Sequence, residues 1–161
     1  MALTASALAQ VGWTYTKTNT GFVDSQQGPD SLSTLFGFTD SDTVYVKQQT
    51  LSGSGTTTYD LTALTDFFGD SFAFSKVQGI IITCTSGQVT AFGAASNAFQ
   101  MFLADPTDKV TIKSGTSIFM ANDTLASGGT VSGSAKNLLI AESAGTPASA
   151  TFQIAIIGKK V

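Results

Sequence analysis

Hydrophobic and polar residues alternate along most of this chain with the two-residue period of β-strands, not with the longer period of helices. Between Asp42 and Leu51, Val44 and Val46 share one face, and Tyr45 and Lys47 share the other. This pattern predicts a strand with two different faces. Further runs predict strands over 56–61, 72–74, 89–93, 109–112, 117–122, 137–141 and 151–157.

The run from Val77 to Thr85 is continuously apolar or β-branched, which predicts a strand buried on both faces with Ile81 in the core. Turn signals rich in Gly, Pro, Asp and Ser separate the runs. Only Thr62 to Phe68 and Ser96 to Leu103 have room for a short helical turn. We therefore predict an all-β fold: a two-sheet β-sandwich of jelly-roll type with about eight to ten short strands.

The length of 161 residues suits one domain. We expect a single β-sandwich over residues 11–161, preceded by a flexible N-terminal arm over residues 1–10, which are Ala-rich and uncharged. The arm has no basic region typical of a secretory signal. No run approaches the roughly 20 apolar residues of a membrane-spanning helix, so we expect no membrane partner.

Composition limits the chemistry. The chain has no histidine and no arginine, and Glu142 is its one glutamate. A Ser-His-Asp or Cys-His arrangement is therefore excluded. A catalytic Ser-Lys pair or a catalytic pair of carboxylates remains formally possible. However, no serine has a nucleophile-elbow context, and most aspartates lie in turns. We expect a protein that is not an enzyme and has no cofactor.

Metal and thiol chemistry are also poorly supported. Cys84 stands alone in an apolar run, which predicts a buried structural thiol. Zinc would need several Cys or His ligands. The pairs Asp40 with Asp42 and Asp105 with Asp108 leave a calcium site open, although neither has the spacing of an EF-hand. The alternative, that these carboxylates bond to their own turns, is favoured.

Charged residues make up only 12% of the chain, and the net charge is −3. No basic cluster exceeds Lys159-Lys160, so nucleic acid is not an expected partner. So few charges indicate a surface that faces other protein. Threonine-rich strands predict cross-strand hydrogen bonds on their wetter faces. The candidate subunit contacts are apolar residues of the arm and aromatic residues near it or in a turn: Leu3, Leu8, Trp13, Tyr15, Phe67 and Phe68.

A set of strand-and-turn phrases between Thr56 and Gly158 resembles virion proteins of tailed bacteriophages. The phrases are Tyr59-Asp60-Leu61, Leu64-Thr65-Asp66, Phe68-Gly69, Phe74, Lys76 to Ile82, Gly93 to Phe99, Asp105 to Val110, Ser114-Gly115 and Ala150 to Gly158. The first fifty residues match less clearly.

This resemblance implies a structural component of the particle, most plausibly a capsid decoration, or cement, protein. It implies the major capsid protein as partner, a homotrimer at three-fold positions, synthesis in the host cytoplasm and a place on the capsid surface. It carries over no catalytic residues. A tail, baseplate or fibre-associated virion protein and a glycan-binding β-sandwich module remain alternatives.

Overall fold

The computed structural model describes residues 5–12, 31–38, 41–66, 69–101, 103–122, 128–143 and 149–161, the first two ranges as backbone only. Within these ranges the chain is all-β and contains no helix. The strands are β1 Ala5–Gly12, β2 Ser31–Phe38, β3 Thr43–Ser52, β4 Thr56–Asp60, β5 Leu64–Thr65, β6 Ser71–Phe72, β7 Phe74–Ser86, β8 Gln88–Ala91, β9 Val110–Lys113, β10 Thr116–Ala121, β11 Gly129–Thr130, β12 Asn137–Glu142 and β13 Ser149–Lys160.

Nine of these strands form two antiparallel sheets. The first sheet has the order β10-β7-β13-β3, with β11 also pairing with β7, and the second has the order β4-β12-β8-β9. From β3 onward the chain crosses repeatedly between these two sheets, and among their described strands only β8 and β9 are successive in the chain and paired with each other. The short strands β5 and β6 form a separate antiparallel pair. This order is that of a jelly roll, so the predicted fold class is confirmed.

The core lies between the two sheets. Alternate residues of the long central strands point into it and are fully buried, among them Ile80, Ile82, Phe152, Ile154 and Ile156. The second sheet contributes residues such as Val89, Ile112, Leu138 and Ile140 from its facing side. Because the inward side chains are large and aliphatic or aromatic, they hold the sheets together through burial, at about 25 cal/mol for each Å² removed from water.

Two sequence-based expectations are wrong in detail. The strand β7 is not buried on both faces: Ile80, Ile82 and Cys84 are buried, whereas Ile81 and Thr83 lie on the opposite side and are half-buried. Among the described residues, the second sheet covers one face of the first sheet, and a β-branched run cannot distinguish that arrangement from a strand covered on both sides. The described residues of 62–68 and 96–103 also form turns, bends and a short strand in place of helical turns.

The strands β1 and β2 form a separate antiparallel pair, in which Leu8 is paired with Leu35. Strand β1 crosses the expected boundary between an arm and the sandwich at residue 10. The arm and the single-domain organisation stay predictions. No helix in the described part of the chain is long and apolar enough to cross a membrane.

Candidate interaction surface

The side of the first sheet that faces away from the core has no charged residue over four successive rows. We call this surface the outer face. Pairing between the strands defines its rows, because residues directly opposite each other share a face. The rows are Thr50 and Thr151; Gln48, Gln153, Thr83 and Ser117; Val46, Ala155, Ile81 and Phe119; and Val44, Ile157, Gly79 and Ala121.

The first two rows are polar and are joined across the strands by side-chain hydrogen bonds. The hydroxyl oxygens of Thr50 and Thr151 lie 2.9 Å apart. Gln153 Nε2 donates to Gln48 Oε1 at 3.0 Å, and the hydroxyls of Thr83 and Ser117 are 2.8 Å apart. The predicted cross-strand bonding of the polar strand faces is therefore confirmed, and these side chains satisfy one another without charge.

The other two rows are apolar, and their exposure is uneven, because Ile157 and Gly79 in the last row are buried. Val46 is 68% exposed and Val44 is 37% exposed. The neighbouring Ile81, Phe119 and Ala155 are half-buried. Single exposed aliphatic residues are ordinary on protein surfaces. A row of four adjacent apolar side chains across a sheet is a contiguous patch, which is the feature that marks protein–protein contacts.

Charges border the outer face at its apolar end. Lys159 pairs with Lys76 beyond the last row, and Asp42 Oδ1 accepts a hydrogen bond from Lys160 N at 2.9 Å. The outward side of the second sheet differs, because it carries charge within its strands at Asp60 and Lys113. An apolar patch bordered by polar and charged residues is a common composition of a protein–protein interface.

At the apolar end of the first sheet, Gln78, Ser41 and Asn122 form a hydrogen-bonded group that we call the polar corner. The pairing of β13 with β7 skips Gln78, because Ile157 pairs with Gly79 and Gly158 with Val77. The skipped side chain is 1% exposed. Its Oε1 accepts from Ser41 Oγ at 2.8 Å, and its Nε2 donates to Asn122 O at 3.3 Å. This β-bulge therefore fastens the segments before β3 and after β10 to the central strand.

A cleft of about 260 Å³ opens where the edge strands β3 and β4 diverge. Tyr45 and Tyr59 line it with their rings 5.9 Å apart, edge to face, and Lys47 Nζ lies 5.9 Å from the Tyr59 ring centre. Burial raises the pKa of Tyr59, and Tyr45 adds to the effect. Both tyrosines are about 5% exposed or less. The cleft therefore has buried rings, not the exposed aromatic shelf on which sugars stack.

Asp105 and Asp108 bond within their own turn, as the sequence predicts, whereas Asp42 and Asp60 also bond residues distant in the chain. Asp105 Oδ1 accepts from Thr107 N at 2.8 Å and from Thr107 Oγ1 at 2.6 Å, and these bonds lower the pKa of Asp105. Asp108 Oδ2 accepts from Asp105 N at 3.1 Å. No group of three or more His, Cys, Asp or Glu within the described ranges could hold a metal ion. The expected bonding of Asp105 and Asp108 within their own turn is confirmed, while Asp40 lies outside the described residues.

The thiol of Cys84 is buried between the sheets, which confirms the predicted structural role. Its Sγ donates to the carbonyl oxygens of Ser86 at 3.3 Å and Gly87 at 3.6 Å. Burial raises the pKa of Cys84. The thiolate, the reactive form, is thereby disfavoured.

The candidate subunit contacts from the sequence are not tested by this geometry. Leu3, Trp13, Tyr15, Phe67 and Phe68 lie outside the described residues, and Leu8 lies in β1, where only the backbone is described. Val44 and Val46 were not among the candidate contacts from the sequence, although their alternation with Tyr45 places them on a separate face. The sequence does not show which face of β3 the second sheet covers.

A scan against protein-family models and a search of curated proteins each found no match. A solved structure from the Bacillus endospore appendages, described as a novel family of disulfide-linked pili, is 11% identical to the chain. The match covers 73% of this chain and 90% of that chain, with a TM-score of 0.30. The likeness is weak, and the fold assignment given above depends on the strand order instead.

Proposed function

We propose that this protein is a non-enzymatic structural component of a phage particle, acting as a capsid decoration protein that binds across capsomer seams and stabilises the head. One observation carries the structural role: the uncharged outer face, on which the apolar side chains of Val44 and Val46 are exposed. A surface of this kind is suited to lasting contact with protein. The assignment to a virion is supported by the sequence resemblance between Thr56 and Gly158.

The physical task of a decoration protein is to make a closed shell harder to open. A subunit that binds the assembled shell and not its separated parts stabilises the shell by mass action. Repetition over many sites makes weak contacts collectively strong. The gain is slower rupture of the shell under heat or internal pressure. In this proposal the partners are the major capsid protein and further copies of the chain, made in the host cytoplasm and located on the capsid surface.

Particles made with and without the gene test this role. We expect particles from the complete phage to contain the chain in hundreds of copies, located on the head by electron microscopy. Heads that lack it should release DNA at a lower temperature. Heads with unchanged thermal release of DNA would contradict the decoration role.

Copy number and position separate the decoration role from a tail, baseplate or fibre-associated protein. The tail alternative predicts far fewer copies, located away from the head. The glycan-binding alternative is disfavoured by the burial of Tyr45 and Tyr59 in the cleft. Saturable binding of the chain on a glycan array would support the glycan-binding alternative.

A further inference from the structure

We propose that the paired strands β1 and β2 pack over the apolar end of the outer face and cover it within the same molecule. We call this pair, Ala5–Gly12 with Ser31–Phe38, the ribbon. The inference goes beyond the proposed function, because it concerns which part of the outer face the chain itself covers and which part it leaves for a partner. It holds whether or not the chain binds a shell.

Burial in the last row of the outer face shows that another segment lies over it. Val44 is 37% exposed, whereas Ile157 is 6% exposed and Gly79 is buried. The paired residue in β7 cannot cover Ile157, because a glycine has no side chain. The second sheet cannot cover it either, because that sheet packs on the opposite side, where the neighbouring Ile156 lies in the core. The cover therefore comes from elsewhere in the chain.

The cover ends within the apolar rows and does not reach β3. In the row beside the last one, Val46 is 68% exposed, whereas Ala155, Ile81 and Phe119 are half-buried. Phe119 also has an interaction partner outside the described residues. The polar row beyond it is exposed at three of its four positions. Burial therefore increases toward the last row and away from β3, which places the cover over β13, β7 and β10.

The covalent connection brings the ribbon to this end of the sheet. Strand β2 ends at Phe38, and Ser41 is the third residue after it. Ser41 is 3% exposed, and its hydroxyl donates to Gln78 in the polar corner. Three Cα–Cα steps of 3.8 Å span at most about 11 Å, so the end of β2 lies within that distance of Ser41. The ribbon therefore begins beside the covered part of the outer face.

The ribbon has the composition that such a cover needs. Neither strand contains a charged residue, and residues directly opposite each other share a face. A two-stranded pair is marginally stable by itself in water, so a ribbon with one apolar face needs a surface to pack on. Both phenylalanines of that face lie at the end nearest Ser41. The apolar face has the pairs Ala5 with Phe38, Ala7 with Phe36, Ala9 with Thr34 and Val11 with Leu32.

The width of the ribbon agrees with the extent of the cover. Two strands span about 10 Å, against roughly 19 Å for the four strands of the sheet. A ribbon that lies toward β10 therefore leaves β3 open, in agreement with the exposure of Val44 and Val46. The part of the outer face that remains for a partner is then the strip along β3.

Hydroxyl-radical footprinting of the full chain, read by mass spectrometry at Ile157, tests the cover. Wild type should be protected there at every protein concentration. Phe36→Asp puts a charge on the apolar face of the ribbon, so we expect the packing to be lost and the oxidation rate of Ile157 to rise at least about fivefold. Leu35→Asp is the matched control, because it adds the same charge one position along β2, on the other face of the ribbon. Its Ile157 should react as in wild type.

Two further measurements keep the test decisive. Ile154 is 1% exposed in the core, and its protection in both variants verifies that the sandwich is folded. Amide hydrogen exchange of wild type examines the ribbon without a substitution. The amides from Leu32 to Phe36 should exchange at least about 100-fold more slowly than those of an unstructured chain. If Phe36→Asp exposes Ile154 as well, this exchange rate decides the matter.

Four results would overturn the proposal. They are ribbon amides without protection, an equal effect of the two substitutions on Ile157, protection of Ile157 in both variants, and protection that disappears on dilution. The third result would assign the cover to another segment of the chain, and the fourth would assign it to a second copy. None of them changes the thermal release of DNA from heads, which tests the proposed function separately.

Discussion

Ile80 and Ile81 are consecutive residues of β7 and lie on opposite sides of the first sheet. Ile80 is fully buried between the sheets and pairs with Ile156 and Met120. Ile81 is half-buried in the apolar row of the outer face, beside Ala155 and Phe119. One peptide bond therefore separates a residue of the core from a half-buried residue of the outer face.

The same charge placed at these two positions should have very different effects. Ile80→Asp puts an unpaired carboxylate into the core, which costs more than a typical domain stability of about 5–15 kcal/mol can sustain. We expect that variant to be insoluble or unfolded by circular dichroism. Ile81→Asp should fold, with a loss of about 1–2 kcal/mol in urea denaturation. An unfolded Ile81→Asp variant would contradict the assignment of Ile81 to the outer face.

Glycine is required at position 87 for steric reasons. Gly87 has a φ of +72°, and a Cβ there would lie 2.3 Å from Ser149 O. We expect Gly87→Ala to lower the free energy of unfolding by about 3 kcal/mol or more, since strain and clash combine. Gly133 is the matched control, because a Cβ there meets nothing within 4 Å. Gly133→Ala should be neutral or stabilising by up to about 1 kcal/mol.

The polar corner at Gln78 should behave as a coupled unit. Gln78→Leu keeps a similar volume but leaves the buried Ser41 hydroxyl without its acceptor, so we expect a loss of about 2 kcal/mol. Ser41→Ala alone should cost about 1 kcal/mol. The double variant should be more stable than the sum of the two losses predicts, by about 1 kcal/mol. Strict additivity in urea denaturation would mean that the two side chains act independently.

Stability should depend on pH through Asp60. Burial alone would raise the pKa of this carboxyl, but bonds from Lys136 and Thr62 outweigh burial and lower the pKa below its ordinary value of 3.8. Lys136 Nζ lies 2.6 Å from Asp60 Oδ2. Because the unfolded chain takes up the proton first as pH falls, the contribution is complete well above pH 3.8 and disappears below the folded pKa.

Asp60→Asn should therefore be less stable than wild type at pH 7, by up to about 1 kcal/mol because the pair is partly exposed. The difference between the two proteins should shrink as the pH falls below 3.8. Urea denaturation at pH 7 and at acid pH measures this, with Lys136→Gln as a second variant that removes the other partner. A deficit of the same size at both pH values would exclude the charge of Asp60 as the cause.

The thiol of Cys84 should be unreactive in the native protein. Burial raises its pKa, so both access and thiolate are suppressed at pH 8. We expect a disulfide reagent such as DTNB to label less than one tenth of the chains within an hour in buffer, and all of them at once in denaturant, a contrast of roughly tenfold or more. Rapid labelling in buffer would mean that β7 opens readily around Cys84.

Periodicity in the sequence predicted nearly all strands of the jelly roll, because an alternation such as that of Val44 to Lys47 is created by the sandwich itself. It did not predict β2 or β1, the strand that includes Ala5 to Gln10. The sequence around β2, Ser31–Phe38, alternates weakly and mixes small with aromatic residues. Local preference alone is a poor indicator of such strands.

The outer face could not be predicted, because it depends on pairing between distant strands. Val46 acquires its neighbours only when β13 lies beside β3 and β10 lies beside β7. Alternation shows that a strand has two faces but does not show which one the second sheet covers. The role of Gln78 is hidden for the same reason, since a bulge is a property of two paired strands and not of either sequence.

The position of β13 has a consequence for how the chain folds during synthesis. It lies in the middle of the first sheet, between β3 and β7, yet follows both in the chain, and its pairing joins residues such as Thr50 and Thr151 that are 101 positions apart. During translation, the edges of β3 and β7 that pair with β13 therefore keep unpaired backbone groups until β13 has been made. Such late, long-range strand pairing makes folding slow and exposes aggregation-prone intermediates. The yield of folded protein in cells should accordingly depend on how well aggregation of the nascent chain is prevented before β13 is synthesised.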